Sequence, residues 1–118
     1  MIGKGEWTML KRVIFHVHEM KEWETILPTI QNALNDVADL QVLVLANGRA
    51  VRVAMREEYR QNLEKLVKQG VTIELCQHAL TTQGFDPEMV NDQLFTLVPS
   101  GIAELINRQH DGYAYIRA

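Results

Sequence analysis

Short apolar runs alternate along this chain with stretches of helical period. Lys11–Glu19, KRVIFHVHE, is dense in β-branched and aromatic residues and predicts a strand. In WETILPTIQNALNDV, residues Ile26, Ile30, Ala33, Leu34 and Val37 fall on one face at helical spacing. Pro28 is expected in the first turn of that helix, where its missing N–H costs little, with Trp23 just ahead of it as a core or subunit contact. LQVLVLANG is almost wholly apolar, the mark of a strand buried on both faces, and Asn47-Gly48 signals a turn after it. A helix is expected from about Arg49 to Gln69, with Tyr59, Leu63, Leu66 and Val67 as its stripe and Gly70 as its stop. VTIEL predicts a third strand, and CQHALTTQG a short helix closed by Gly84. FDPEMV reads as a connecting turn, with Pro87 opening a helical turn. QLFTLV predicts a fourth strand, and PSGIAELINRQHDG a helix with Ile102, Leu105 and Ile106 facing inward. YAYI, with Tyr113 and Tyr115 as further core or subunit contacts, predicts a fifth strand.

The first three strands begin near Lys11, Gln41 and Val71, a spacing of about 30 residues, which is one strand plus a crossover helix. Regular alternation of this kind predicts an α/β fold: a three-layer α/β/α sandwich around a mostly parallel five-stranded sheet. The expected organisation is a loose tail over residues 1–8, containing Trp7, and a single α/β domain over 9–118.

Composition narrows the function classes. A formal net charge of -3 argues against a nucleic-acid binder, which needs a basic face to displace counterions. No apolar run is long enough to span a bilayer, and the amino-terminal residues do not resemble a secretory signal, so a cytoplasmic protein without membrane contact is expected. The single cysteine excludes an internal disulfide and agrees with a reducing compartment.

In a parallel α/β fold, ligands bind outside the carboxyl ends of the strands. The residues expected there are His16 and His18, Asn47 and Gly48, Cys76 and His78, and Ser100. Cys76 directly follows a strand and is expected in the first turn of a helix, where unpaired N–H groups and the helix dipole favour a nucleophilic thiolate. A buried, inert thiol is the competing account. His16 and His18 share a strand face, and with Cys76 and His78 could supply metal ligands. Neither HExxH nor paired CxxC is present, so no metal is assigned. The GxGxxG and GxxxxGK[ST] patterns are also missing, and no cofactor is implied. Ser100, beside Pro99, reads first as a helix N-cap. Arg49, Arg52, Arg56 and Arg60 would form a cationic stripe on a continuous helix.

VIFHVHE, VLVLANG, GVTIELCQHAL, GFDPE and VPSGIAELINRQHDGYAYIR, in this order within a likeness that covers Lys11 to Arg117, together resemble the DsrE/DsrF-like family of small intracellular sulfur-metabolism proteins. The likeness is nearest to single-domain members without an assigned reaction. It implies a parallel α/β/α sandwich assembled as a homo-oligomer, trimer or hexamer. In the sulfur-relay members a cysteine ending the third strand carries sulfur as a persulfide, and the matching position is Cys76. Those members often have arginines shortly after the cysteine, where this chain has TTQG.

The resemblance thus implies a sulfurtransferase or sulfur carrier that takes sulfane sulfur onto Cys76 from a donor protein and passes it to an acceptor thiol. Two alternatives stand beside it. One is a non-enzymatic oligomeric protein binding a small ligand at the strand ends, with His78, Asn47, Gly48, His16, His18 and Ser100 as candidate contacts. The other is a metal-binding protein using its histidines and cysteine.

Overall fold

The structure, a computed structural model, describes residues 10–90 and 93–118; the tail expected over residues 1–8, Trp7 included, lies outside them. Five strands form one sheet: β1 (Lys11–Val17), β2 (Leu40–Ala46), β3 (Thr72–Cys76), β4 (Phe95–Val98) and β5 (Ala114–Arg117). Their order is β4-β3-β2-β1-β5, and every neighbouring pair is parallel. The helices are α1 (Glu22–Asp36), α2 (Glu57–Lys68), α3 (Gln77–Thr82) and α4 (Gly101–His110). Two 3₁₀ segments, Gly48–Met55 and Pro87–Met89, complete the connections.

Strand alternation builds two unequal cores. Val13, Phe15, Val17, Val42, Val44, Ala46, Ile73 and Leu75 point to one face, where Trp23, Ile26 and Ile30 of α1, Leu63 and Leu66 of α2, and Leu80 of α3 cover them. Ile14, Leu43 and Leu45 point to the other face and meet Leu105 of α4. Both faces of β2 are therefore buried, as its apolar run predicts. The chirality of parallel crossovers explains the imbalance. The path runs stepwise from β1 to β4 in one direction, which keeps its helices on one face; the return from β4 to β5 runs the other way and puts α4 on the opposite face.

Several local expectations are corrected. Pro28 lies inside α1, beyond its first turn, on the exposed side, where water can take the carbonyl that loses its helical partner. Trp23 lies within α1, fully buried, and its Nε1–H donates to the Ala50 carbonyl at 3.0 Å. The helix expected from Arg49 to Gln69 is two elements, parted at Arg56, whose backbone is extended (φ -113°, ψ 99°). The arginine stripe is broken with it. Arg49 pairs with Glu19, Arg56 with Glu58 and Arg60 with Glu64, while Arg52 turns to Gln83. In α4 only Leu105 of the three expected residues is buried; Ile102 and Ile106 are 65% and 60% exposed. They stand about 100° round the helix from Leu105 and Gly101, and α4 has no companion helix on its face of the sheet among the described residues.

Candidate functional site

All five strands end on one rim because all run parallel, and that rim gathers residues far apart in sequence. Its decisive feature lies between β3 and β4. The connection leaving β3 enters α3 on one face of the sheet, and the connection leaving β4 enters α4 on the other. Adjacent strands whose connections part in this way open a crevice, the usual ligand position in such sheets. Cys76 is the last residue of β3 and pairs in register with Val98 at the end of β4.

Cys76 is the N-cap of α3 rather than a first-turn residue, with extended backbone (φ -73°, ψ 120°). Its Sγ accepts the Ala79 N–H at 3.4 Å from α3 and the Gly101 N–H at 3.3 Å from α4. Two helix starts thus direct otherwise unpaired donors at one sulfur, an arrangement that favours negative charge there. Gly101 makes the approach physically available. A Cβ at that position would stand 3.2 Å from the Asn47 Cβ and 3.3 Å from the Cys76 Cβ. The preceding Ser100 caps α4, its Oγ accepting the Ala103 N–H at 3.2 Å.

Above the sulfur lies an open pocket of about 300 Å³, bordered by Asn47, Gly48, Cys76, His78, Gln83 and Ser100 among others. Cys76 itself is only 6% exposed, so reagents reach the thiol through this pocket. His78 is exposed on α3 at its edge. Gln83, also on the border, accepts the Arg52 Nε–H at 2.8 Å. The fold therefore ties an arginine to a residue of the pocket border, although none stands in the TTQG stretch shortly after the cysteine.

His16 and His18 do not border the pocket; they stand behind it and hold Asn47. The Asn47 Oδ1 is 2.8 Å from His16 Nε2 and 2.9 Å from His18 Nδ1. His16 Nδ1 is 2.7 Å from the Tyr115 hydroxyl. Burial lowers the pKa of His16 below the ordinary histidine value, against the hydrogen bond to Asn47, which raises it. A neutral His16 then donates through Nε2 to Asn47 and accepts the Tyr115 O–H at Nδ1. Gly48 completes the corner in the left-handed region (φ +54°); a Cβ there would lie 2.6 Å from the His18 ring. Among the described residues, no group of three or more His, Cys, Asp or Glu side chains is disposed to hold a metal ion. The histidines and Cys76 are thus not assembled as a ligand set.

Tyr115 is the member that sequence reading misses. It joins the site only because β5 pairs with β1 across a long return connection, and no local signal marks that pairing.

The sequence model of the DsrE/DsrF-like family matches residues 15–118. The chain belongs to the DsrE/DsrF-like family. Among solved structures, this DsrE/DsrF-like chain is similar to a protein of unknown function, MTH1491, from Methanobacterium thermoautotrophicum. The two are 29% identical with a TM-score of 0.84, over 92% of this chain and 99% of the other. A conserved protein of unknown function, BT1422, from Bacteroides thetaiotaomicron shares the fold at a TM-score of 0.72 and 19% identity, over 94% of this chain and 97% of the other. No curated protein matches the chain. No helix among the described residues is long and apolar enough to cross a membrane.

Proposed function

We propose that this DsrE/DsrF-like protein carries sulfane sulfur as a persulfide on Cys76 and hands it to an acceptor thiol. Family membership supports sulfur relay in general. The observation that carries the specific reading is the pair of backbone N–H groups donated to the Cys76 Sγ from two different helices. An inert packing cysteine has no need of two donors, whereas a sulfur nucleophile reacts as the thiolate, and such donors favour that form.

The transfer balances without an oxidant. The Cys76 thiolate attacks the outer sulfur of a donor persulfide, the donor's S–S bond breaks, and the donor leaves as a thiolate. The product is Cys76–S–SH. An acceptor thiolate then attacks the outer sulfur, taking it together with its proton, and Cys76 returns as the thiolate. Each step is a sulfur analogue of thiol–disulfide exchange, and its rate follows thiolate fraction and access. Donor and acceptor partners, and a homo-oligomer as trimer or hexamer, belong to this reading.

The test is intact mass after reduction and then loading with a polysulfide. The wild-type protein is expected to gain one sulfur and lose it to added thiol, and Cys76→Ser to gain none. Absence of any adduct on wild type overturns the proposal. The second reading, noncovalent binding of a small ligand, is favoured by the pocket of about 300 Å³ itself, which is at the low end of small-molecule sites. It gains ground if Cys76→Ser retains a ligand that wild type binds without a mass adduct.

A further inference from the structure

We infer that Asn47 donates the hydrogen bond that holds the outer sulfur of the Cys76 persulfide, with His16, His18 and Tyr115 fixing its amide for that purpose. This inference rests on the carrier reading.

A persulfide has two sulfurs, and the protein visibly provides for the inner one. Both N–H groups that reach Cys76 end on Sγ. When a second sulfur is attached, its S–H can release its proton to water, and the terminal charge that results needs a donor of its own. Asn47 is placed to supply one. Its Oδ1 is occupied by N–H groups from His16 and His18. Occupying the carbonyl end leaves the Nδ2 end of the same planar amide turned the other way. Among the described residues, Nδ2 has no hydrogen-bond partner.

Asn47 lies close beside Gly101. The point where a Gly101 Cβ would stand is 3.3 Å from the Cys76 Cβ and 3.5 Å from the Asn47 Nδ2. Asn47 and Cys76 therefore come together beside Gly101, whose missing side chain permits their close approach, and both border the pocket. The pocket above Cys76, where an outer sulfur would extend, is thus bordered by the residue that carries this free donor.

The histidines act through Asn47 and not on sulfur. Tyr115 O–H donates to His16 Nδ1, and His16 Nε2–H donates to Asn47 Oδ1. A chain of donors in series polarises each successive bond, so the amide N–H at its end is a stronger donor than an isolated asparagine. His18 adds a second N–H to the same oxygen and is itself held against Gly48. Asn47 is thus the binding residue, and His16, His18 and Tyr115 are positioning residues.

Asn47→Asp tests this directly. Aspartate is nearly isosteric and keeps oxygen acceptors for both histidines, but it offers no N–H to the pocket. Wild type, Asn47→Asp, Asn47→Ala and Tyr115→Phe are loaded with polysulfide, excess donor is removed, an acceptor thiol is added, and intact mass is followed with time. Both Asn47 variants are expected to take up one sulfur and to lose it about tenfold faster than wild type, the change that removal of one charge-assisted hydrogen bond implies. Tyr115→Phe is expected to show a smaller acceleration of about two- to threefold, because the donor is weakened and not removed. Asn47→Ala keeps the question decidable if Asn47→Asp does not fold. Persulfide lifetimes equal to wild type in the folded Asn47 variants overturn the role of Asn47 and leave the carrier reading standing. Failure of wild type itself to take up sulfur overturns both.

Discussion

The backbone N–H of Gly101 donates to the Sγ of Cys76 at 3.3 Å, so the start of one helix is tied to the cap of another across the end of the sheet. Space for this contact depends on the missing side chain. Gly101→Ala sets a Cβ at 3.2 and 3.3 Å from carbons of Asn47 and Cys76, and α4 has to withdraw by a few tenths of an ångström. The expected result is a loss of about 1–3 kcal/mol in urea unfolding. Slower alkylation of Cys76 by iodoacetamide should accompany it, as one of the two donors to sulfur moves off. Unchanged alkylation in a destabilised variant would show that the Gly101 contact serves packing only.

Glu74 makes stability depend on pH. It is almost fully buried on β3 beneath α4, and its Oε1 has no hydrogen-bond partner. Burial first, then the hydrogen bond to Glu104 and the charge of that carboxylate, push its pKa from 4.5 to about 8, with Arg108 opposing. The folded state therefore holds a proton that the unfolded chain releases. The contribution is complete below about pH 4.5, falls as pH rises towards 8 and is lost above it, with a slope of up to about 1.4 kcal/mol per pH unit. Glu104 shifts the opposite way, lowered first by its hydrogen bond with Glu74, and acts only on the acid side of that window. Glu74→Gln retains a donor for Glu104 and cannot ionise. Its stability relative to wild type should rise steadily between pH 5 and 8; a difference independent of pH would contradict a protonated Glu74 in the folded protein.

Trp23 links the first helix to the site. Its indole N–H bonds to the carbonyl of Ala50, in the 3₁₀ segment that directly follows Asn47. Trp23→Phe keeps most of the apolar volume and leaves a buried acceptor without its donor, at a cost of about 1–3 kcal/mol. Thermal unfolding gives the magnitude. The crosspeak of the Asn47 side-chain amide in an NMR spectrum is expected to shift as well.

Ser100 is a cap in this structure, and its removal should behave as the loss of a cap. Ser100→Ala is expected to cost about 1 kcal/mol by denaturant titration. Once the variant is folded, its extent of sulfur loading should equal that of wild type. A loading defect in folded protein would give the Ser100 hydroxyl a part in binding as well.

Much of this protein is legible from local pattern. The dense β-branched runs, the helical spacing of Ile26 and Ile30, and the roughly 30-residue repeat of strand and helix are enough for a parallel α/β sandwich. The rim residues Asn47, Cys76 and Ser100 are also readable, since strand ends are where such folds expose function. Expectation and structure part where neighbours decide. Pro28 sits within a helix because its side faces water, and Ile102 and Ile106 are exposed because α4 has one face of the sheet to itself. The helix expected to run from Arg49 begins instead as a 3₁₀ segment, whose Ala50 carbonyl accepts the Trp23 indole, and is parted from α2 at the extended Arg56.

By itself, the sequence determines the elements, their alternation and the placement of one thiol at the end of β3, because these follow from side-chain period and turn chemistry within a few residues. Tertiary structure alone decides the environment of that thiol. The return of the chain from β4 to β5 sends α4 to the far face and aims the Gly101 N–H at Cys76. The same return lays Tyr115 beside His16. Both contacts join residues separated by long stretches of chain, and their energies depend on strand order, which no local pattern encodes.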